Sequence, residues 1–491
     1  MHPAGKFHPP LPTLRSESNR QMESGGKMHV VMLPWLAFGH ILPFAEFAKR
    51  VARQGHRVTL LSTPNNTRRL IDIPPALAGL IRVVDIPLPR VDRLPEQTEA
   101  TIDLPSDDLR PYLRRAYDAA FQDELSRLLQ EEESRPDWVI ADYASYWAPT
   151  VAASHGVPCA FLSLFGAAAL GFFGSTETLV GLGEHARTEP AQFTVVPEYV
   201  PFPTTVAFRG YEARELFEPG MLPDDSGVSE GYRFAKSIEG CKLVGIRSSA
   251  EFEPEWLQLL GELYQKPVIP VGLFPPPPQQ DVAGHEATMR WLDSQAPNSV
   301  VYAAFGSEVK LKSAQLQRIA LGLEVSGLPF IWAFRPPTDA ITGMDELPEG
   351  FEERLAGRAV ICRGWVPQVS FLAHASVGGF LTHAGWNSVT EGLAQGVRLV
   401  LLPLMFEQGL NARNLVDKKI GVEVARDEQD GSFTPDNIAA ALRKVMVEDE
   451  GEEFGITVKE LAKVFGDDEV NDQCVRDFLR HLSEYSRKNK L

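Results

Sequence analysis

The sequence predicts an α/β protein built from two doubly wound, Rossmann-like domains that face a cleft. Three observations lead there. Apolar runs of strand length alternate with amphipathic helical stretches, which argues for parallel sheets covered by helices. The alternation breaks once, around Pro275 to Pro278, a run of prolines that makes a stiff extended spacer. Short polar motifs fall at the carboxyl ends of the predicted strands, where sheets of this kind bind ligands. With 491 residues the chain has material for two or three ordinary domains.

The elements run as follows. His29 to Trp35 reads as an apolar strand. Ile41 to Gln54 reads as an amphipathic helix, with Leu42, Ala45, Ala48, Val51 and Ala52 on one face and Gly55 ending it. Arg57 to Ser62 completes a βαβ unit. Asp137 to Ala141 (strand), Trp147 to Ser154 (helix) and Pro158 to Leu162 (strand) repeat the pattern. Ala160 to Gly174 is the longest apolar stretch. It is too short to span a bilayer and reads as a buried strand plus loop. After the spacer come strand Ser299 to Phe305, helix Ala314 to Ser326 and strand Phe330 to Phe334. Strands Val360 to Arg363, Val377 to Thr382 and Leu399 to Leu402 follow, and Asn471 to Tyr485 reads as a helix. The expected organisation is a disordered leader (1–28), a first domain (29–260), a linker (261–285) and a second domain (286–468). A C-terminal helix (469–491) is expected to pack back on the first domain. No repeat of solenoid length is present.

Composition narrows the function. Hydrophobic residues make up 44% of the chain, enough for large cores. Lys and Arg total 48 against 65 Asp and Glu, a formal charge of −17. That disfavours nucleic acid as a partner. A phosphate-bearing ligand must then be held locally, by backbone amides and helix ends. Cys159, Cys241, Cys362 and Cys474 are widely separated and form no CxxC, so neither a zinc site nor a disulfide framework is suggested. The first 28 residues lack the apolar core of a signal peptide. A cytoplasmic protein, without membrane insertion and monomeric, is expected.

Residues Trp365 to Gln408 carry the densest chemistry. Strand Val377 to Thr382 delivers His383 at its carboxyl end. Ala384 and Gly385 turn the chain, and after Trp386 a helix opens at Asn387 and Ser388. The first amides of that helix have no intrahelical acceptor and carry partial positive charge, so a diphosphate there is stabilised without a lysine. Gly385 lets the backbone approach closely. Asn387 and Ser388 are alternatively simple N-caps. Glu391, a turn further on, suits the two hydroxyls of a ribose, or is a solvated helix glutamate. Trp365 suits stacking on a base, or core packing. Glu407 and Gln408 suit sugar hydroxyls, or cap their own helix. Phe305-Gly306-Ser307 offers a second strand end with a glycine turn.

In the first domain, Phe38-Gly39-His40 follows the first strand and Asp142 ends another. A doubly wound sheet brings such ends together. A histidine takes a hydroxyl proton near neutrality, and a buried aspartate on its other nitrogen fixes the tautomer and stabilises the imidazolium. A helix-start histidine and a turn aspartate are the plain alternatives.

The 44-residue stretch from Trp365 to Gln408 resembles the donor box of plant family-1 UDP-sugar glycosyltransferases, and the resemblance extends over the chain from about Lys27. It implies the GT-B fold, with the donor on the second domain. It implies that Trp365 stacks on uracil, the Val366 backbone pairs with the base, and Gln368 and Glu391 bind ribose. His383, Asn387, Ser388 and Ser307 would bind the diphosphate, with Gly385 and Trp386 between them in the turn. Glu407 and Gln408 would bind the sugar, the terminal glutamine pointing to glucose. His40 matches the catalytic base and Asp142 its partner. Position 384 is alanine where many members have cysteine. Position 407 is glutamate where aspartate is commoner, which bears on donor choice. The first-domain motifs are most similar to the branch that adds sugar to sugar on flavonoid or terpenoid (steviol-type) glycosides. Phe38 and Tyr143, with the run from Phe161 to Phe173, are the expected acceptor wall. The expected reaction is an inverting transfer of glucose from UDP-glucose as co-substrate, with no other cofactor. No Asp-x-Asp motif is present, so no metal is expected. Direct transfer to an aglycone and a non-catalytic nucleotide-sugar binding module remain as alternatives. An NAD-dependent oxidoreductase fits poorly, because the first βα turn lacks GxGxxG.

Overall fold

A computed structural model of the chain describes residues 26–132, 135–279, 282–336 and 347–488. The expected leader, 1–28, lies outside the described residues up to position 25. Its last residue belongs to the fold. Met28 is buried, its N–H donates to His56 Nδ1 at 3.1 Å, and its carbonyl accepts from Arg57.

Two all-parallel sheets form the protein. The first contains β1 (His29–Leu33), β2 (Arg57–Ser62), β3 (Ile81–Asp85), β4 (Trp138–Ala141), β5 (Cys159–Ser163), β6 (Leu243–Ile246) and β7 (Val268–Pro270). The second contains β8 (Val300–Ala304), β9 (Phe330–Phe334), β10 (Ala359–Arg363), β11 (Val377–Thr382), β12 (Arg398–Leu401) and β13 (Gly421–Glu423). Their orders are β3-β2-β1-β4-β5-β6-β7 and β10-β9-β8-β11-β12-β13. In each, the winding direction reverses once, between β1 and β4 and between β8 and β11. A crevice opens at such a reversal, beyond the carboxyl ends of the strands.

The strands are apolar without alternation because both faces are covered. In β1, Val31 and Leu33 enter one core and Val30 and Met32 the other. In β8, Val301 and Ala303 face one core and Val300, Tyr302 and Ala304 the opposite one. No helix among the described residues is long and apolar enough to cross a membrane.

Several boundaries differ from the sequence reading. The first helix spans Phe38–Arg53, so it begins before Ile41 and His40 sits in its first turn. The apolar run after β5 is not a loop. It forms a helix, Ala167–Phe173, because the buried carboxylate of Glu253 accepts the N–H groups of Ala167 and Ala168, each at 3.0 Å. The range 261–285 is not all linker. Helix Pro254–Tyr264 and edge strand β7 both belong to the first domain. The crossing follows β7 and is packed: Leu273 enters a core of the second domain and Phe274 a core of the first. Both of their N–H groups donate to Asn471 Oδ1, at 2.6 and 2.9 Å.

The last helix, Asp468–Lys488, returns to the first domain. Val475, Phe478, Leu479 and Leu482 complete its core, and Arg50 pairs with Asp468 and Asp472 at 2.6 and 2.5 Å. Phe478 is fully buried beside Phe47 and the bare backbone of Gly245. Phe478→Ala is therefore expected to destabilise the protein by about 3–5 kcal/mol, read as a lower urea midpoint. A midpoint equal to wild type would mean that the helix does not hold the first domain.

Candidate active site

The two crevices face each other and merge into one cavity of about 1200 Å³. That exceeds the upper range of ordinary single-ligand pockets, roughly 1,000 Å³, and leaves room for a nucleotide-sugar and a second substrate. Of the site residues expected from sequence, all but Asp142 line it. Asp142 is fully buried directly behind His40.

On the first-domain side, His40 Nδ1 lies 2.7 Å from Asp142 Oδ2. Asp142 also accepts the Trp35 N–H at 3.0 Å and the Tyr143 N–H at 2.7 Å. Held by two backbone donors, the carboxylate accepts a hydrogen bond from Nδ1–H, so the Nε2 lone pair of His40 is left for the cleft. Burial alone lowers the pKa of His40. The charge and hydrogen bond of Asp142 outweigh it, with Glu407 and Glu308 adding, and the imidazole ends above its ordinary value of 6.5. Tyr143 packs 5.6 Å from the His40 ring and stacks on Phe234 at 4.5 Å. Phe38 lies under the Arg69 guanidinium. Of the run from Phe161 to Phe173, Leu164, Phe165 and Phe173 reach the cavity, while Phe161 and Phe172 are fully buried.

On the second-domain side, β11 ends at Thr382 and presents His383. Its ring is pressed between two glycines. A Cβ on Gly306 would come within 2.7 Å of it, and one on Gly385 within 2.4 Å. Gly306 also has a φ of +73°, a conformation glycine adopts freely. Burial, then the nearby Arg335, lowers the pKa of His383 to about 4. It therefore hydrogen-bonds as a neutral ring and brings no charge.

The helix after it spans Trp386–Ala394, with Gly385 as N-cap. It starts one residue before Asn387, so Asn387 and Ser388 are not caps but occupy its first turn. The Trp386 indole does not face the ligand space as a polar group. Its Nε1 donates to the Arg247 carbonyl at 2.9 Å, across the domain boundary. Asn387 Nδ2 also crosses, donating to the Gly39 carbonyl at 3.1 Å. That carbonyl is open to a partner because Pro43, four residues on, has no N–H to give it.

Trp365 is 66% exposed, which removes core packing as its role. Gln368 Nε2 donates to Glu391 Oε2 at 2.6 Å, and the Tyr302 hydroxyl donates to Gln368 Oε1 at 3.2 Å. Burial pushes the Glu391 carboxyl up, opposed by that bond and by the Arg247 charge. The Val366 carbonyl accepts the Gln368 N–H at 2.9 Å. Gln408 Oε1 accepts the N–H groups of Leu404 and Met405 at 2.9 and 3.0 Å, so its amide N–H groups are what remain for a ligand. Glu407 is the N-cap residue of helix Gln408–Asp417, yet its side chain does not cap it. Burial raises its carboxyl, against the charge of His40.

Some lining residues escaped the sequence reading. Arg335 follows β9 and donates to the Ser307 carbonyl at 2.9 Å. It is the one arginine or lysine that the second domain contributes to the cavity among the described residues, against three acids from the same domain, Glu308, Glu391 and Glu407. The rule that placed Ser307, a strand's carboxyl end, would have found it. Arg114, Asp224 and Glu230 form a charged patch in the cavity that Phe173, Phe193 and Phe217 also line. They come from helices and loops that carried no recognised motif.

A proton acceptor in one domain and an amide-rich helix start in the other, across a shared cleft, make a two-substrate group transferase. A family model described as UDP-glucoronosyl and UDP-glucosyl transferase matches residues 279–471. UDP-glycosyltransferase 91C1 of Arabidopsis thaliana is 44% identical, over 93% of this chain and 96% of that protein. Soyasaponin III rhamnosyltransferase of Glycine max is 38% identical, over 93% of this chain and 96% of its own. The structure of Phytolacca americana UGT2 complexed with UDP-2fluoro-glucose and pterostilbene superposes with a TM-score of 0.71 at 26% identity, covering 93% of this chain and all (100%) of that one. This chain belongs to the plant family-1 UDP-glycosyltransferases. It is an enzyme of GT-B fold that transfers a glycosyl group from a UDP-sugar.

Two outcomes test the geometry. Gly306→Ala drives a methyl into His383 and is expected to weaken UDP binding at least about tenfold, roughly 1.4 kcal/mol, by titration calorimetry. Unchanged affinity would mean that the His383 ring is not held as described. The His40 ring is expected to titrate above 6.5 by NMR. Glu308→Gln is expected to move it down, because removing a nearby negative charge disfavours the imidazolium. An upward shift would contradict the charge arrangement.

Proposed function

We propose that the enzyme transfers glucose from UDP-glucose, with inversion, to a hydroxyl of a small-molecule glycoside of the terpenoid or flavonoid kind, the acceptor being a sugar hydroxyl rather than one on a bare aglycone. The reading rests on one observation: His40 Nε2 opens into the same cavity as Trp365, Glu391 and the start of helix Trp386–Ala394.

His40 takes the proton of the acceptor hydroxyl. The oxygen attacks the anomeric carbon from the face opposite UDP, the carbon–oxygen bond to the diphosphate breaks, and its electron pair leaves with UDP. An α-linked donor becomes a β-glycoside. Asp142 holds the imidazolium. Ser307, His383, Asn387 and Ser388 hold the diphosphate, with the free amides of the helix and the Arg335 guanidinium taking the charge that develops on it. Trp365 stacks on the base and the Val366 backbone pairs with it, while Gln368 and Glu391 bind ribose. Glu407 and the Gln408 amide bind the sugar. No metal or further cofactor enters this scheme.

A glycoside acceptor is supported by the lining of the cavity, which holds both an aromatic surface and the Arg114, Asp224 and Glu230 patch. The polar side chains of that patch would serve the hydroxyls of a sugar while the aromatic surface takes the aglycone. The Glycine max relative is named for a saponin, which is itself a glycoside. That relative transfers rhamnose by name, so donor choice is tested directly. Phe38 and Tyr143 form the acceptor surface nearest His40. Four unpaired cysteines support a reducing, cytoplasmic setting for a monomeric enzyme.

UDP release is to be measured with UDP-glucose and UDP-rhamnose against a panel of aglycones and their monoglucosides, with linkage read by NMR. Turnover is expected with UDP-glucose and a monoglucoside. Turnover confined to free aglycones, or to UDP-rhamnose, would overturn the acceptor or the donor part. His40→Ala is expected to lose about 10²–10⁴-fold in kcat, and chelator-treated enzyme is expected to keep its rate. Arg335→Gln is expected to raise the KM for the donor about tenfold or more, given roughly 1.5–3 kcal/mol for a hydrogen bond to a charged group. An unchanged KM would remove Arg335 from the diphosphate site.

A further inference from the structure

We infer that Arg247, a first-domain residue remote from the acceptor wall, is a positioning residue that sets the amide of Asn387 in the donor-facing sense. The inference rests on the proposed role of helix Trp386–Ala394 in holding the diphosphate.

Arg247 follows β6 at its carboxyl end and is 1% exposed. A buried guanidinium normally faces a carboxylate, because the desolvation cost is large. Arg247 forms no ion pair among the described residues. Its Nε donates to the Leu273 carbonyl at 2.9 Å, in the crossing between domains. Its Nη2 donates to Thr390 Oγ1 at 3.1 Å, and its Nη1 donates to Asn387 Oδ1. Two of its three bonds therefore end on the first turns of the helix of the other domain. The backbone is clamped as well. The Arg247 N–H donates to the Ser163 carbonyl at 2.9 Å, and its carbonyl accepts Trp386 Nε1.

The consequence is geometric. An asparagine amide has a donor end and an acceptor end, and arginine only donates. Opposite Arg247, Oδ1 must face the guanidinium. Turned over, the amide would oppose N–H to N–H. Nδ2 is thereby directed to the cleft. One of its N–H groups goes to the Gly39 carbonyl left open by Pro43, and the second is available to a diphosphate oxygen. Asn387 is thus a donor to the diphosphate only while the two domains are docked, and Arg247 is the group that makes it so.

A double-mutant cycle tests this on the full chain, with UDP as the probe in titration calorimetry at fixed salt and thermal melting alongside. Arg247→Met is expected to weaken UDP binding about tenfold, and Asn387→Ala by a similar factor. In the Asn387→Ala background, Arg247→Met is expected to change UDP affinity less than about twofold, since its effect passes through Asn387. Arg247→Lys, which keeps the charge and one donor, is expected to lose only about threefold. If Arg247→Met does not fold, the cycle is run with Arg247→Lys, and that threefold loss should vanish beside Asn387→Ala. Additive losses, as from a merely structural arginine, or undiminished UDP binding in Arg247→Met, overturn the inference and leave the donor site standing. Wild-type enzyme with no affinity for UDP overturns both.

Discussion

Pro43 leaves the Gly39 carbonyl without its intrahelical donor, and Asn387 supplies one from the other domain at 3.1 Å. Around that bond the first turns of two helices meet. One carries His40, held against Asp142. The other offers the unpaired amides of Trp386, Asn387 and Ser388. Acid–base chemistry and anion binding need different surroundings, a lone pair beside a buried carboxylate and a field of N–H dipoles. The contact keeps them adjacent without mixing them.

Charge follows the same division. The protein is strongly acidic, and the cleft itself holds Glu308, Glu391 and Glu407. Glu407 and Glu308 add to Asp142 in keeping His40 basic enough to accept a proton. They would repel a diphosphate, so its subsite needs local compensation. His383 is neutral and brings none. In the proposed scheme the compensation comes from helix amides and from Arg335 at the rim, with Arg247 acting through the amide of Asn387. Dipoles and one guanidinium group would thus do locally what the net charge of the chain opposes.

The domains are joined by more than a tether. Leu273 and Phe274 enter opposite cores at the crossing, and Asn471 accepts both of their N–H groups. The terminal helix carries the chain back to the first sheet. Buried Glu253 caps helix Ala167–Phe173 on one side and accepts Asn414 Nδ2 of the second domain at 3.0 Å on the other. The proline run marks where the chain crosses, but the crossing is fastened at both ends, so the two halves of the site share one framework.

The sequence by itself determined the class of fold, the strands flanking each motif and the polar residues of the donor box. Apolar periodicity and strand-end position are local properties, written within a few residues of each other. It also indicated His40 and Asp142, since both follow the carboxyl ends of strands legible in the sequence. Only the tertiary structure decided what those residues face. Trp365 could have been core or platform, and its exposure removed the core reading. Asn387 could have been a cap, and it proved to be a cross-domain donor fixed by Arg247, 140 positions away. The helix at Ala167 could not be read from its own apolar residues, because its cap is a glutamate 86 positions on. Arg335 follows a strand end and was within reach of the same rule, but Arg114, Glu230 and the Phe193 and Phe217 part of the cavity wall were missed for a similar reason. Their meaning lies in what closes around the cavity, and burial and long-range hydrogen bonds are set by chain segments that no local pattern links.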